Sequence, residues 1–326
     1  MSKLVTIYGG SGFVGRYIAQ KMARRGWRVR VAVRRPNEAL FVKPYGVVGQ
    51  VEPVFCNIRD DDSVRAVMQG ADAVVNCVGI LVEEGANRFE EVQATGAGRI
   101  ARIAAEEGIG TLVHISAIGA DSASSSAYAR TKAAGEGAVL EHFPRAVILR
   151  PSIIFGPEDG FFNRFAGMAR LTPVLPIVGG TTRFQPVWVE DVAEAAARGV
   201  LGEAAAGVFE LGGPEVKTFQ ELMMLMLELI RRRRLTFSIP FPLARLQGSL
   251  LDLGSRLTGG LLANRLLTRD QVENLARDNV VGPHVRGFAE LGIEPTPMAT
   301  VLPEYLWRYR PSGQYSAIQD SARNLR

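Results

Sequence analysis

The stretch Leu4-Val-Thr-Ile-Tyr-Gly-Gly-Ser-Gly-Phe-Val-Gly-Arg16 turns a short apolar run into a glycine-spaced loop within a few residues. Val5 and Ile7 carry strand-forming, β-branched character, and a helical pattern runs on from Arg16 to Arg25. Between the two, Gly9, Gly12 and Gly15 fall at three-residue spacing, and Gly10-x-Gly12-x-x-Gly15 also fits the dinucleotide fingerprint. Without a Cβ, glycines let the backbone turn sharply and approach a pyrophosphate, whose charge then rests on the N-terminus of the following helix. Gly9, Gly10, Ser11, Gly12, Phe13, Val14, Gly15 and Arg16 are therefore the expected phosphate cradle.

Outward from this loop, apolar strands and amphipathic helices alternate. Strands are expected at 3–8, 28–34, 51–56, 72–78, 110–116 and 145–150, with helices at 13–25, 60–69, 88–107 and 126–142. Continuous apolar strands in such alternation require a parallel sheet covered on both faces. The expected fold class is α/β, a doubly wound parallel Rossmann sheet with a smaller, mostly helical C-terminal lobe. The expected division is 1–229 for the nucleotide-binding domain, with 157–187 reaching into the second lobe, and 230–326 for a docking lobe and tail. Further elements are expected at 185–200, 208–211 and 219–229, and Asp191 is expected to cap the helix beginning there. From residue 230 the character shifts: Arg231 to Arg234 precedes leucines 243, 246, 250, 253 and 257 on one helical stripe. That stripe fits a helix packing on its own core, and equally a face that docks on a membrane surface or a partner through residues 231–262. Residues from about 311 lose periodicity, as an ordered-on-binding tail does.

The chain has 326 residues, 47% of them hydrophobic, and a net charge of +5. That charge suits an acidic partner, an anionic surface or a phosphorylated ligand. Nucleic acid is excluded as a partner class, because the basic residues are dispersed apart from Arg231 to Arg234 and no aromatic platform accompanies them. His114, His142 and His284 lack ligand spacing, so no metal site is expected. Cys56 and Cys77 read as reduced core thiols. A first strand at residue 3 or 4 leaves no room for a signal or transit peptide, and no apolar run spans a bilayer; the expectation is a bacterial chain on the cytoplasmic side.

Arg34 stands nineteen residues beyond Gly15, where an NAD-selective site carries Asp or Glu against the ribose hydroxyls. A guanidinium there pairs with a 2′-phosphate, so Arg34 and Arg35, with Arg16 as a second clamp, favour NADPH as cofactor. Asn57 and Ile58 are expected to border the adenine, and the Cys77-Val78-Gly79 strand end to pass close to the cofactor ribose. Tyr128 and Lys132, four apart on one helix, share a face. The lysine, with a cationic nicotinamide nearby, is expected to lower the phenol pKa, and also to bind the nicotinamide ribose hydroxyls.

With HISAIGA (114–120), YARTKAAGE, LRPSIIFGPED and QPVWVEDVA added to the glycine loop and NCVG, residues 3 to 230 resemble the extended, atypical short-chain dehydrogenase/reductase superfamily. Within it, SSSAYARTKAAGE, LRPSIIFGPEDGFFNRFA, the Pro240-Phe-Pro242 segment, LLTRDQVE and LGIEPTP are similar in order and spacing to the nucleotide-binding accessory subunits of respiratory complex I, to about residue 310. The resemblance implies a firmly held NADPH, other complex I subunits as partners, a peripheral place at the inner membrane near the quinone-reaction region, and no turnover. It further implies nicotinamide carboxamide contacts from Pro151 and Ile154. Active superfamily members carry a Ser or Thr just after the fifth strand, one or two positions beyond Ser116, where this chain has Ala117 and Ile118; the oxygen-side donor is thereby in question, with Ser116, Ser124, Ser125 and Ser126 nearby. The alternatives are an active NADP-dependent reductase or epimerase using Tyr128, Lys132 and Ser116, and a redox-sensing or quinone-biosynthesis-associated binding protein.

Overall fold

The computed structural model describes residues 2–257, 268–311 and 313–315. Its elements run β1 (Leu4–Tyr8), α1 (Phe13–Arg24), β2 (Arg28–Val33), a 3₁₀ segment (Pro36–Tyr45), β3 (Val51–Phe55), α2 (Asp61–Met68) and β4 (Ala73–Asn76). A π-helical turn (Glu90–Thr95) leads into α3 (Gly96–Glu106), followed by β5 (Thr111–Ile115), α4 (Ala127–His142) and β6 (Val147–Pro151). Next come β7 (Ile154–Phe155), α5 (Phe162–Leu171), β8 (Val174–Val178), β9 (Arg183–Phe184), β10 (Val187–Trp188), α6 (Val189–Leu201) and β11 (Gly207–Leu211). The remainder is β12 (Lys217–Thr218), α7 (Phe219–Leu229), β13 (Leu235–Ile239), α8 (Phe241–Leu257), α9 (Arg269–Leu275) and α10 (Met298–Leu306).

Seven strands form one sheet in the order β11-β6-β5-β4-β1-β2-β3, and every adjacent pair is parallel. Its strands are mainly apolar because helices cover both faces: Val5, Ile7, Val31, Val75, Val113 and Leu149 are buried toward α1 and α6. On the other face Tyr8, Val74 and Leu112 meet α2, α3 and α4. Each fully buried Val, Ile or Leu contributes about 1.5–3 kcal/mol relative to exposure. The strand order reverses between β1 and β4, so the crevice at their carboxyl ends is the place where such sheets bind ligands.

A second core gathers distant segments: Phe155, Phe162, Phe184, Phe219, Met226 and Leu302 are buried together. Its buried Asp159 ties the segments, accepting from the Tyr305 hydroxyl at 2.6 Å and from the Phe161 N–H at 2.9 Å.

Two local expectations are corrected. The helix expected at 88–107 is split, because the turn at 90–95 widens to aim the Gln93 carbonyl at α4, where a Cβ on Gly135 would lie 2.1 Å from it. Asp191 does not cap its own helix; it lies in the first turn of α6, buried, and accepts from the Thr296 N–H at 2.7 Å and its hydroxyl at 3.1 Å. Cys56 and Cys77 are free thiols, Cys56 buried and Cys77 half-buried, with β1 and β2 between their strands in the sheet. Of the leucine stripe, Leu243 and Leu246 are exposed; the side chains of Leu250, Leu253 and Leu257, residues 258–267 and most of the tail from 311 lie outside the described residues.

Candidate nucleotide-binding site

The glycine loop is built almost wholly of backbone. Gly9 takes a φ of +75°, a left-handed conformation open to glycine at little cost, and its N–H donates to the Ala32 carbonyl at 2.9 Å, fastening the loop to β2. A Cβ on Gly15 would lie 2.5 Å from the Gly9 carbonyl oxygen and 2.7 Å from the Gly10 Cα. Helix α1 and the loop therefore pack main chain on main chain. Helix α1 starts after Gly12 with no side-chain cap and no acidic residue in its first turn. Neither its N-cap nor its first turn therefore supplies an anion to its leading N–H groups and positive dipole end. A pyrophosphate suits such a terminus in charge and in closeness of approach. Phe13 and Val14 face inward, Phe13 toward Gly156 and Val14 onto the sheet core.

On the ribose side the arginines divide. The Arg34 guanidinium donates to Asn87 Oδ1 at 2.8 Å, and Arg59 donates to the Ala86 carbonyl at 3.1 Å. Together they hold the turn at 84–87 beside the ends of β2 and β3. Arg35 pairs with Glu38 on the surface at 3.1 Å. Arg16 is committed elsewhere: it donates to the Ser11 and Gly12 carbonyls, lies 3.6 Å from Glu158, and stacks on Phe41. It braces the loop instead of joining Arg34. Asn57 uses its Oδ1 to hold the Arg59 N–H at 3.2 Å, and Ile58 packs against the Gly96 position of α3.

At β4 the Cys77 N–H donates to the Tyr8 carbonyl, and Val78 lies against Gly9. Gly79 faces the Lys132 ammonium: a Cβ there would be 3.4 Å from Nζ. Lys132 is buried and donates to the Ile115 carbonyl at 3.2 Å; burial draws its pKa down to about 8, opposed by Glu136 and Cys77. Tyr128 packs edge-on against Phe89. Lys132 alone does not depress the phenol: burial, then the Asp270 carboxylate, push it up to about 12. The ammonium is aimed at Ile115 and Gly79, and the charge facing the phenol is negative. Beneath them the Asn76 amide meets His114 Nδ1 at 3.1 Å, and burial holds the His114 pKa down at about 3.

Among the described residues the buried Ser116 hydroxyl has no hydrogen-bond partner. Of the neighbouring serines, Ser126 caps α4 by accepting from the Ala129 N–H, Ser124 accepts from the Ser126 N–H, and Ser125 is exposed. Among the described residues Ser116 is the one of these serines whose buried hydroxyl has no partner, and it follows Ile115, whose carbonyl accepts from Lys132. Pro151 ends β6 with its carbonyl accepting from the Ile118 N–H, and Ile154 sits half-buried in β7.

Two residues at this edge were not singled out from the sequence. Asp270, at the start of α9, accepts from the Ala127 N–H at 2.6 Å, the Ser126 hydroxyl at 2.9 Å and the Tyr128 N–H at 3.3 Å. Asn279 donates to the Ile118 carbonyl at 3.2 Å and accepts from the Ser152 hydroxyl at 2.7 Å. The one readable signal was Thr268-x-x-Gln271, a capping box that announces α9; nothing local names what Asp270 would touch.

Comparison with known proteins agrees with this geometry. The sequence profile of the "NAD dependent epimerase/dehydratase family" matches residues 5–211. The chain is 34% identical over 316 residues to NADH dehydrogenase [ubiquinone] 1 alpha subcomplex subunit 9, mitochondrial, of Arabidopsis thaliana, covering 95% of this chain and 79% of that protein. It is 31% identical over 257 residues to a ceramide reductase of Caulobacter vibrioides, covering 78% and 79%. The dTDP-glucose 4,6-dehydratase of Streptomyces venezuelae, solved with NAD and TYD bound, superposes with a TM-score of 0.71 at 19% identity, covering 97% and 99%. With its parallel sheet, its glycine cradle and these matches, the chain belongs to the NAD dependent epimerase/dehydratase family of the extended short-chain dehydrogenase/reductases, and within it is kin to the alpha subcomplex subunit 9 proteins of complex I.

Proposed function

We propose that this chain is an accessory subunit of a complex I-type NADH:ubiquinone oxidoreductase that holds NADPH as a structural ligand and does not turn it over. The observation that carries the reading is the reach of the likeness to the Arabidopsis protein: it extends over 95% of the chain, past residue 211 where the family profile stops. The glycine cradle takes the pyrophosphate. Arg34 exchanges Asn87 for the 2′-phosphate, with Arg35 beside it, and Lys132 and Tyr128 hold the nicotinamide ribose. A ligand at a hundred times its Kd stabilises the fold by about 2.7 kcal/mol, enough to stiffen a docking surface without chemistry.

The subunit sits peripherally, on the cytoplasmic side of a bacterial inner membrane. Among the described residues no helix is long and apolar enough to cross a membrane. The exposed Val174, Leu235, Phe237, Leu243 and Leu246, beside the basic run at 231–234, support contact with neighbouring subunits or the membrane surface. Affinity capture from gently solubilised membranes, followed by mass spectrometry and release of the nucleotide, tests this. The chain should travel with the NADH-oxidising fraction and yield NADPH; its absence from that fraction sinks the assignment.

A second reading, an active NADP-dependent reductase, draws on the Ser116 hydroxyl, without a partner among the described residues, on the Tyr128 and Lys132 pair of α4, and on the ceramide reductase relative. Stoichiometric oxidation of bound NADPH by a carbonyl substrate, lost in Tyr128→Phe, would establish it over the first.

A further inference from the structure

We infer that residues 268–282 form a strap that couples nucleotide occupancy to the C-terminal lobe, with Asp270 as the residue that positions α4. The inference rests on the reading that the cradle binds NADPH.

Helix α4 carries Tyr128 and Lys132, and its first turn is completed from far along the chain. Ser126 serves the Ala129 N–H, but the Ala127 and Tyr128 N–H groups and the Ser126 hydroxyl all end on the Asp270 carboxylate. Take that carboxylate away and three donors at one helix terminus lose their acceptor, in the turn that aims Tyr128.

The strap is then fastened across the carboxyl edge of the sheet. Arg277 pairs with Asp121 at 3.0 Å, and Asn279 joins the loops after β5 and β6 through Ile118 and Ser152. Asp278 pairs with Arg183, and the Gly282 N–H donates to Glu210. These ties are mainly polar, and such segments open at lower free energy than an apolar core does. On its outer side α9 grips α8: Arg245 pairs with Glu273 at 3.0 Å, and Val272 is buried with Ala244 and Val178. A contiguous path thus leads from the nucleotide helix through Asp270 and α9 to α8, which bears the exposed Leu243 and Leu246. By linkage, if strap docking fixes α4 for the nucleotide, the nucleotide tightens the strap by the same factor.

Hydrogen exchange of the full chain with and without NADPH, paired with calorimetric titration, tests the coupling. NADPH should slow exchange at 268–282 as well as at 9–16. Asp270→Ala should weaken NADPH by about fivefold or more and abolish the slowing at 268–282 while 9–16 stays protected. Asp270→Asn, which keeps an acceptor oxygen, should recover part of the affinity. Should Asp270→Ala lose its cooperative melting transition, Arg277→Ala, which cuts the tie to Asp121 and leaves α4 capped, carries the same expectation for the strap. NADPH binding with 9–16 protected but 268–282 unchanged overturns the coupling and leaves the nucleotide reading standing. Absence of NADPH binding removes both.

Discussion

The glycine loop at residues 9 to 15 and the strap at residues 268 to 282 border the same carboxyl edge of the sheet, yet one is made of main chain and the other of side chains. In the loop, a Cβ on Gly12 or Gly15 would meet backbone atoms a few residues away, the Gly9 carbonyl in both cases. In the strap, Asp270 and Asn279 reach partners more than a hundred residues distant. A backbone-built site tolerates almost no substitution, because carbonyls cannot move aside. A side-chain-built site can lose one contact and keep the rest.

The largest effect expected from that contrast is at Gly15. Gly15→Ala places a methyl against the Gly9 carbonyl and Gly10 Cα, so α1 must shift; the expected cost is about 3 kcal/mol or more in stability, with loss of retained nucleotide, read by thermal melting and by chromatography of the denatured protein. Unchanged melting would mean that the loop is softer than its contacts imply. Next, Arg34→Asp should weaken NADPH binding by about 1.5–3 kcal/mol, tenfold or more, and affect NADH far less. Equal losses for the two nucleotides would place the 2′-phosphate elsewhere.

His114 is buried in β5 against Asn76 of β4, and its effect depends on pH. The unfolded chain takes up a proton near 6.5, whereas the folded chain does so only near 3. Between these values the unfolded state binds more protons, so stability falls as the pH drops. The loss reaches about 2 kcal/mol at pH 5. In His114→Gln this component is missing, and the melting temperatures of variant and wild type should converge on acidification. Parallel curves would show the imidazole to be reached by water. The smallest effect is at Asn279, where Asn279→Ala removes the side-chain bonds to Ile118 and Ser152 and leaves the Ser152 hydroxyl its bond to the Asn279 carbonyl. About 1–2 kcal/mol is expected, with the loop contacts at 9–15 intact; a loss as large as that of Gly15→Ala would erase the distinction between the two regions.

Legibility from the sequence follows the same division. Alternating apolar strands and helices, with glycines at fixed spacing, announce a parallel sheet and its cradle, since both depend on local periodicity and on which residues lack a Cβ. Arg34 could be placed at a strand end, but not its turn toward Asn87. The widened turn at 90–95 escaped because it answers to Gly135 on another helix. The surroundings of the Tyr128 phenol escaped for a like reason: its spacing from Lys132 is visible, whereas Asp270 is invisible until the chain is folded.

What the sequence alone determined is the fold class, the glycine loop and the candidate residues on each element, because strand and helix periods and glycine backbone freedom act within a few residues. Only the tertiary structure decided the use to which those residues are put: Arg16 bracing its own loop, Asp191 held to Thr296, Ser116 left without a partner among the described residues, and Asp270 closing the helix of Tyr128 and Lys132. Side-chain charges and hydrogen bonds act over a few ångströms in space, and which groups come within that reach is settled by packing of segments far apart in the chain.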